Sequence, residues 1–120
     1  MRKVGEITPR VAELLEMEIP LNAPILLGRT NIEHMLDRHE ADYIKYGDRI
    51  PEILAQPDYV GRHPTNGSIE YVKEFVVDGE YVKVAVRISE SGSYFARTLY
   101  VLDNNRVKRF IAKGTLKPVT

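Results

Sequence analysis

The segment Thr30-Asn31-Ile32-Glu33-His34-Met35-Leu36-Asp37-Arg38-His39 holds two of the chain's three histidines, with an arginine beside the second. Histidine is the side chain whose ordinary pKa lets it both give and take a proton near neutral pH. Two imidazoles beside a permanent cation suit a hydrolytic or phosphate-handling site. The chain has no cysteine, which excludes disulfides, thiolate metal sites and thiol nucleophiles. A zinc site is not expected. His34 and His39 are five apart, not four, no glutamate follows His34, and no third ligand stands out. No glycine-rich phosphate loop and no Gly-x-Ser-x-Gly occurs, and Ser89, Ser91 and Ser93 read as turn residues. His63, in Gly61-Arg62-His63-Pro64, falls in a loop and receives no role.

A helix must position these side chains. Thr30 and Glu33 have the spacing of a capping box, in which two orphaned backbone donors are satisfied reciprocally. The predicted helix starts after Thr30 and runs towards Tyr46, ending at Gly47. Ile32, Met35, Leu36 and Tyr43 form its buried stripe, and His39 falls within it. There it is either a site imidazole or a core histidine bonded to a carbonyl. His34 and Arg38, four apart, share another face, as a working pair or as solvated surface.

Around that helix the chain favours helix first and strand later, which predicts an α+β domain. Thr8 and Pro9 open a first helix to about Met17, with Val11, Leu14 and Leu15 as its apolar stripe. Pro24–Gly28 reads as a small strand. Asp48 is expected to cap a short third helix that stops before Gln56-Pro57. Strands are predicted near Asp58–Gly61 and over Ser68–Val77, Glu80–Ser89 and Tyr94–Leu102. Asp78-Gly79 is a strong hairpin signal between two of them. Val107, Phe110 and Ile111 mark a C-terminal helix with Gly114 beyond it. The expected whole is a single domain, residues 1–120. Helices over about 8–56 pack on an antiparallel sheet of about four strands (58–102), with a short helix at 104–113.

Pairing Val77 with Glu80 and Ser89 with Tyr94 assigns the faces of the sheet. One face then carries Ile69, Tyr71, Phe75, Val82, Val84, Val86, Ile88, Phe95, Leu99 and Val101. The other carries Glu70, Glu74, Lys83, Arg87, Tyr94, Thr98 and Tyr100. In this register Lys73 and Arg97 intrude on the apolar face. Buried unpaired charges are costly, so each must snorkel to an edge, find an acid or serve a ligand such as phosphate beside the histidine helix.

Composition sets outer bounds. The chain has 120 residues, 43% of them hydrophobic, enough for one real core. Lysine plus arginine and aspartate plus glutamate each number 17, which argues against a broad electrostatic footprint on duplex DNA but not against a local cationic cleft. No apolar run approaches the roughly 20 residues that cross a bilayer. Met1–Glu6 has no apolar stretch after its basic pair, so no signal peptide and no membrane association are expected.

Three blocks in order carry a resemblance: His34-Met35-Leu36-Asp37-Arg38-His39 on a helix, Ile50-Pro51-Glu52-Ile53-Leu54-Ala55-Gln56-Pro57-Asp58-Tyr59-Val60, and a strand pair ending in Ala96-Arg97-Thr98-Leu99-Tyr100. From roughly Ile25 to the C-terminus the chain resembles the phage-associated barnase–EndoU–colicin–RelE-like nuclease domains of prophages and mobile elements. The resemblance implies a helix-then-sheet fold and metal-independent RNA cleavage, without a cofactor. In such enzymes the RNA's 2′-hydroxyl attacks the adjacent phosphorus, with histidine acid–base catalysis and cationic stabilisation. Carried over by position, the catalytic residues would be His34, Arg38, His39, Lys73, Arg87 and Thr98, with Arg97 and Tyr100 binding substrate. RNA is the expected partner, alongside an inhibitor, immunity or phage protein. The expected setting is a bacterial cytoplasm, with phage delivery as one route to it. The other reading is a catalytically silent binding module of the same fold.

Overall fold

Strands with apolar side chains on both faces need cover on both sides, and that requirement organises this chain. A computed structural model describes residues 1–120. Its elements run β1 (Arg2–Ile7), α1 (Pro9–Leu14), β2 (Ala23–Leu27), α2 (Arg29–Tyr46), a 3₁₀ turn (Gly47–Arg49), α3 (Ile50–Ala55), β3 (Tyr59–Arg62), β4 (Ile69–Phe75), β5 (Glu80–Ile88), β6 (Tyr94–Leu102), α4 (Asn104–Ala112) and β7 (Leu116–Pro118). The strands form one sheet of seven, ordered β1-β2-β6-β5-β4-β3-β7. All pairs are antiparallel except β2 with β6.

The larger core lies on one face. Val11 and Leu15 from the α1 region and Ile50, Ile53 and Leu54 from α3 pack there against Ile25, Ile69, Tyr71, Val84 and Leu99. Thr8 caps α1, its Oγ1 accepting from the Val11 N–H at 3.3 Å, and Pro9 takes the first turn. A smaller core on the opposite face joins Val107 of α4 to Val72, Leu102 and Leu116. Each of these fully buried aliphatic side chains contributes roughly 1.5–3 kcal/mol. At the β7 edge, Gly61 pairs with Leu116, and a Cβ at Gly61 would stand 2.4 Å from the Thr115 carbonyl oxygen. Backbone cannot yield there without moving β7. Gly61→Ala is therefore expected to lower stability by about 1–3 kcal/mol, read as a lower urea midpoint at unchanged m.

Helix α2 completes the sheet. β2 pairs with β6 only through Ile25↔Tyr94 and Leu26↔Phe95. The chain then leaves the strand at Gly28, and α2 lies along the edge of β6 that β2 has vacated. Asp42 Oδ2 accepts from the Val101 N–H at 3.0 Å, satisfying that edge. At the helix end Lys45 Nζ and the Tyr46 hydroxyl both donate to Glu80 Oε1, at 2.7 and 2.6 Å. Lys45, then Tyr46, hold the Glu80 carboxyl below its ordinary range. Desolvation and the bond to that carboxylate push the Tyr46 hydroxyl up to about 12. One turn before the first of these ties the backbone of His39 leaves the helical region (φ −143°, ψ 52°), and α2 bends there.

Several expectations are corrected. The sheet has seven strands, not about four, and is mixed. β1 escaped notice because a bulge between Lys3 and Gly5 breaks its two-residue period, so that Val4 and Ile7 are buried three residues apart. β7 is a three-residue edge strand ending in proline, too short to carry a pattern. α2 starts at Arg29, and the side chain that reaches back is Asn31, whose Oδ1 accepts from the Gly28 N–H at 2.9 Å. Thr30 and Glu33 make no capping box. The cap of α3 is Arg49, with no side-chain bond, not Asp48. The Asp78-Gly79 turn belongs to a longer loop, since Phe75 pairs with Glu80. That two-residue shift leaves each residue of β4 and β5 on its expected face.

Candidate functional site

The second shift moves side chains between faces. Val86 pairs with Ala96 and Ala85 with Thr98, so Arg97 is the extra residue of a β-bulge. A bulge bends its strand and re-aims the side chains around it. Here it turns Ala96, instead of Phe95, into the main core. It also puts Arg97, which a regular strand would have buried, on the opposite, polar face beside Thr98.

That polar face is the floor of a cleft of about 330 Å³, within the range of small-molecule sites. β6 supplies Arg97, Thr98 and Tyr100, β5 supplies Lys83 and Arg87, and β4 supplies Glu70. His34 from α2 and His63 and Asn66 from the β3–β4 loop also line it. The cleft thus brings two imidazoles and three cations around one carboxylate, inside a chain of zero formal charge.

The interior polar groups are held firmly. Lys83 Nζ donates to Glu70 Oε2 at 2.6 Å, with both side chains largely buried, and lies 4.6 Å from the centre of the Tyr100 ring. His39 stacks on the same ring at 4.8 Å, with 27° between the planes. Tyr100 is therefore already engaged by two protein groups. His63 is oriented by its own loop: the Thr65 and Asn66 N–H groups donate to its Nδ1 at 3.2 and 3.3 Å. Accepting those bonds leaves the ring proton of a neutral imidazole on Nε2. The His34 side chain is exposed and makes no hydrogen bond within the protein.

Of the residues expected to act together, His34, Arg87, Arg97, Thr98 and Tyr100 line one cleft. His39 touches it only through Tyr100. Arg38 points to solvent, with Asp37 Oδ2 at 3.5 Å, and does not line the cleft. Lys73 is separated from it: its register places it on the opposite face, where Nζ donates to the Gln56 carbonyl at 2.9 Å. The expected grouping of Lys73 with the histidines is thus not formed. Sequence reasoning passed over His63, Glu70 and Lys83 as site residues. The turn residues Pro64 to Gly67 were the available signal for His63, since they predict a tight return at the sheet's end.

No group of three His, Asp, Glu or Cys side chains gathers as a metal site, and no helix is long and apolar enough to cross a membrane. A sequence model of one protein family, described as phage-Barnase-EndoU-ColicinE5/D-RelE like nuclease3, matches residues 2–109. The match extends further towards the N-terminus than the expected start near Ile25. No curated protein and no solved structure matches the chain.

Proposed function

Because the chain belongs to the phage-Barnase-EndoU-ColicinE5/D-RelE like nuclease family, we propose that it is a metal-independent ribonuclease working in the cleft of His34 and Glu70. The observation that carries this reading is the convergence of His34, His63, Glu70, Arg87, Arg97 and Thr98 on one polar sheet face. Such a set provides proton transfer and charge stabilisation for RNA cleavage without a metal.

In the proposed reaction the 2′-oxygen bonds to the adjacent phosphorus while the bond from phosphorus to the 5′-oxygen breaks. The Glu70 carboxylate takes the 2′-hydroxyl proton through the oxygen that Lys83 does not occupy. The His34 imidazolium gives a proton to the departing 5′-oxygen. Arg87 and Arg97 offset the charge growing on the phosphate, and Thr98 and the His63 Nε2–H donate to its non-bridging oxygens. The products are a 2′,3′-cyclic phosphate and a 5′-hydroxyl. His34 thus keeps a histidine in the acid–base pair, while His39 supports Tyr100 and Lys73 has no part.

The test is cleavage of end-labelled RNA by purified protein in excess chelator. Products ending in 2′,3′-cyclic phosphate are expected, and a single 2′-deoxy nucleotide at the cut position should block that cut. Intact RNA under all conditions would reject the enzyme and leave a binding module of the same fold.

A further inference from the structure

A second cavity, of about 400 Å³, adjoins the cleft and shares two of its lining residues, His34 and Arg97. Its other walls include Phe95 from β6 and Thr30 and Asn31 from the first turn of α2. The shared pair is a proton donor and a permanent cation, the groups that a reacting phosphate would meet. A phosphate held there would have one cavity on each side. A phosphodiester has one nucleoside on each side.

The two cavities differ in what they offer a base. In the cleft, His39 and Lys83 already occupy Tyr100. Tyr100, expected to bind substrate, is therefore not a free stacking surface. Phe95 has no aromatic or cationic partner of its own and is only partly buried. It pairs across the strands with Arg87, on the polar side of the bulge. An aromatic ring beside a phosphate site is a platform for an unstacked base, and such stacking tolerates any base. Asn31 spends its Oδ1 on the Gly28 N–H, which leaves its amide protons, with the Thr30 hydroxyl, for the polar edge of that base.

Resting on the ribonuclease reading, we infer that the Phe95 cavity is the binding site for the base of one of the two nucleosides flanking the scissile phosphate. The substrate is then single-stranded RNA with that base unstacked onto Phe95. The bulge at Arg97 makes the arrangement possible, because in a regular β6 Phe95 would face the main core.

The experiment combines substrate and protein changes. Trinucleotides carry an abasic residue on the 5′ or the 3′ side of the scissile linkage, and kcat/KM is measured for wild type, Phe95→Ala and Phe95→Tyr. On one side, removing the base should lower the wild-type value roughly 5- to 150-fold and the Phe95→Ala value by less than about twofold. Phe95→Tyr should restore the sensitivity. If both proteins lose equally on both sides, the subsite is rejected while the ribonuclease reading stands. If wild type cleaves nothing, that reading fails, and the same comparison is made on affinity for uncleavable 2′-deoxy trinucleotides. Base-dependent affinity that needs Phe95 would still support the subsite; equal loss, or no binding, would reject it. Phe95→Leu, which keeps the apolar bulk and removes the π face, takes the place of Phe95→Ala should the latter fail to fold.

Discussion

His34→Ala should lower kcat/KM for RNA cleavage by about 10²–10⁴-fold while leaving the melting temperature within a degree or two of wild type. The first figure is the usual contribution of a positioned acid or base. The second follows from exposure: His34 is solvent-facing, makes no hydrogen bond within the protein and fills no core space, and surface changes of that kind stay within about 0.5 kcal/mol. Glu70→Gln should cost a comparable factor in rate. The pH profile separates the two roles. If His34 is the acid, its loss removes the alkaline limb of kcat/KM, and Glu70→Gln removes the acidic limb. The opposite pattern would exchange the roles, and a full profile in both variants would reject them.

His39→Ala provides the contrast. On the sequence, His39 and His34 are both candidate catalytic histidines. In the structure the His39 imidazole packs on Tyr100 and does not line the cleft. Its removal should act through the position of Tyr100, by about the 0.5–1.5 kcal/mol typical of an aromatic pair, near tenfold in rate at most. An effect of 10³-fold or more from His39→Ala, with none from His34→Ala, would move the chemistry back to the middle of α2.

The hairpins and helices that build the cleft were legible because their patterns are regular. β4, β5 and β6 alternate over long runs, and the turn residues between them are strong signals, so Arg87, Thr98 and Tyr100 fell on the right face even though one loop was misjudged by two residues. An even register error preserves faces and an odd one exchanges them. The odd shift came from the bulge at Arg97. Nothing in Tyr94-Phe95-Ala96-Arg97-Thr98-Leu99 announces it, since alanine at the switch fits either side. One extra residue therefore reversed the readings of both Phe95 and Arg97. His63 could not be placed because a loop has no period, and its orientation depends on backbone N–H groups that only the folded turn brings to Nδ1. The family resemblance proposed site residues by their place in the chain. It grouped Lys73 with Arg87, two cations of one hairpin, although the register read from the turns already sets them on opposite faces of the sheet, where the structure also has them.

The same misjudged loop hid the Glu70–Lys83 pair, and this pair should give a large stability effect. With Val77 set opposite Glu80, Lys83 faced Glu74. In the structure Lys83 lies opposite Val72 and reaches diagonally to Glu70, with side chains only 13% and 11% exposed. Removing one member of a buried pair strands the other charge, at a cost of about 3–5 kcal/mol. Lys83→Met should therefore shift the melting temperature down by roughly 10–20 °C in a domain of this size. Replacing both, as Lys83→Met with Glu70→Leu, should recover most of the loss, because a buried ion pair exchanged for apolar side chains of similar volume is often neutral or stabilising. The recovered protein should still fail to cleave RNA, since its base has gone. Stability regained without activity would mean that the charges are kept for the reaction on this sheet face and not for the fold. A Lys83→Met protein within about 0.5 kcal/mol of wild type would instead mean that Glu70 is well hydrated, and would remove the argument for a carboxylate held in a sheltered cleft floor.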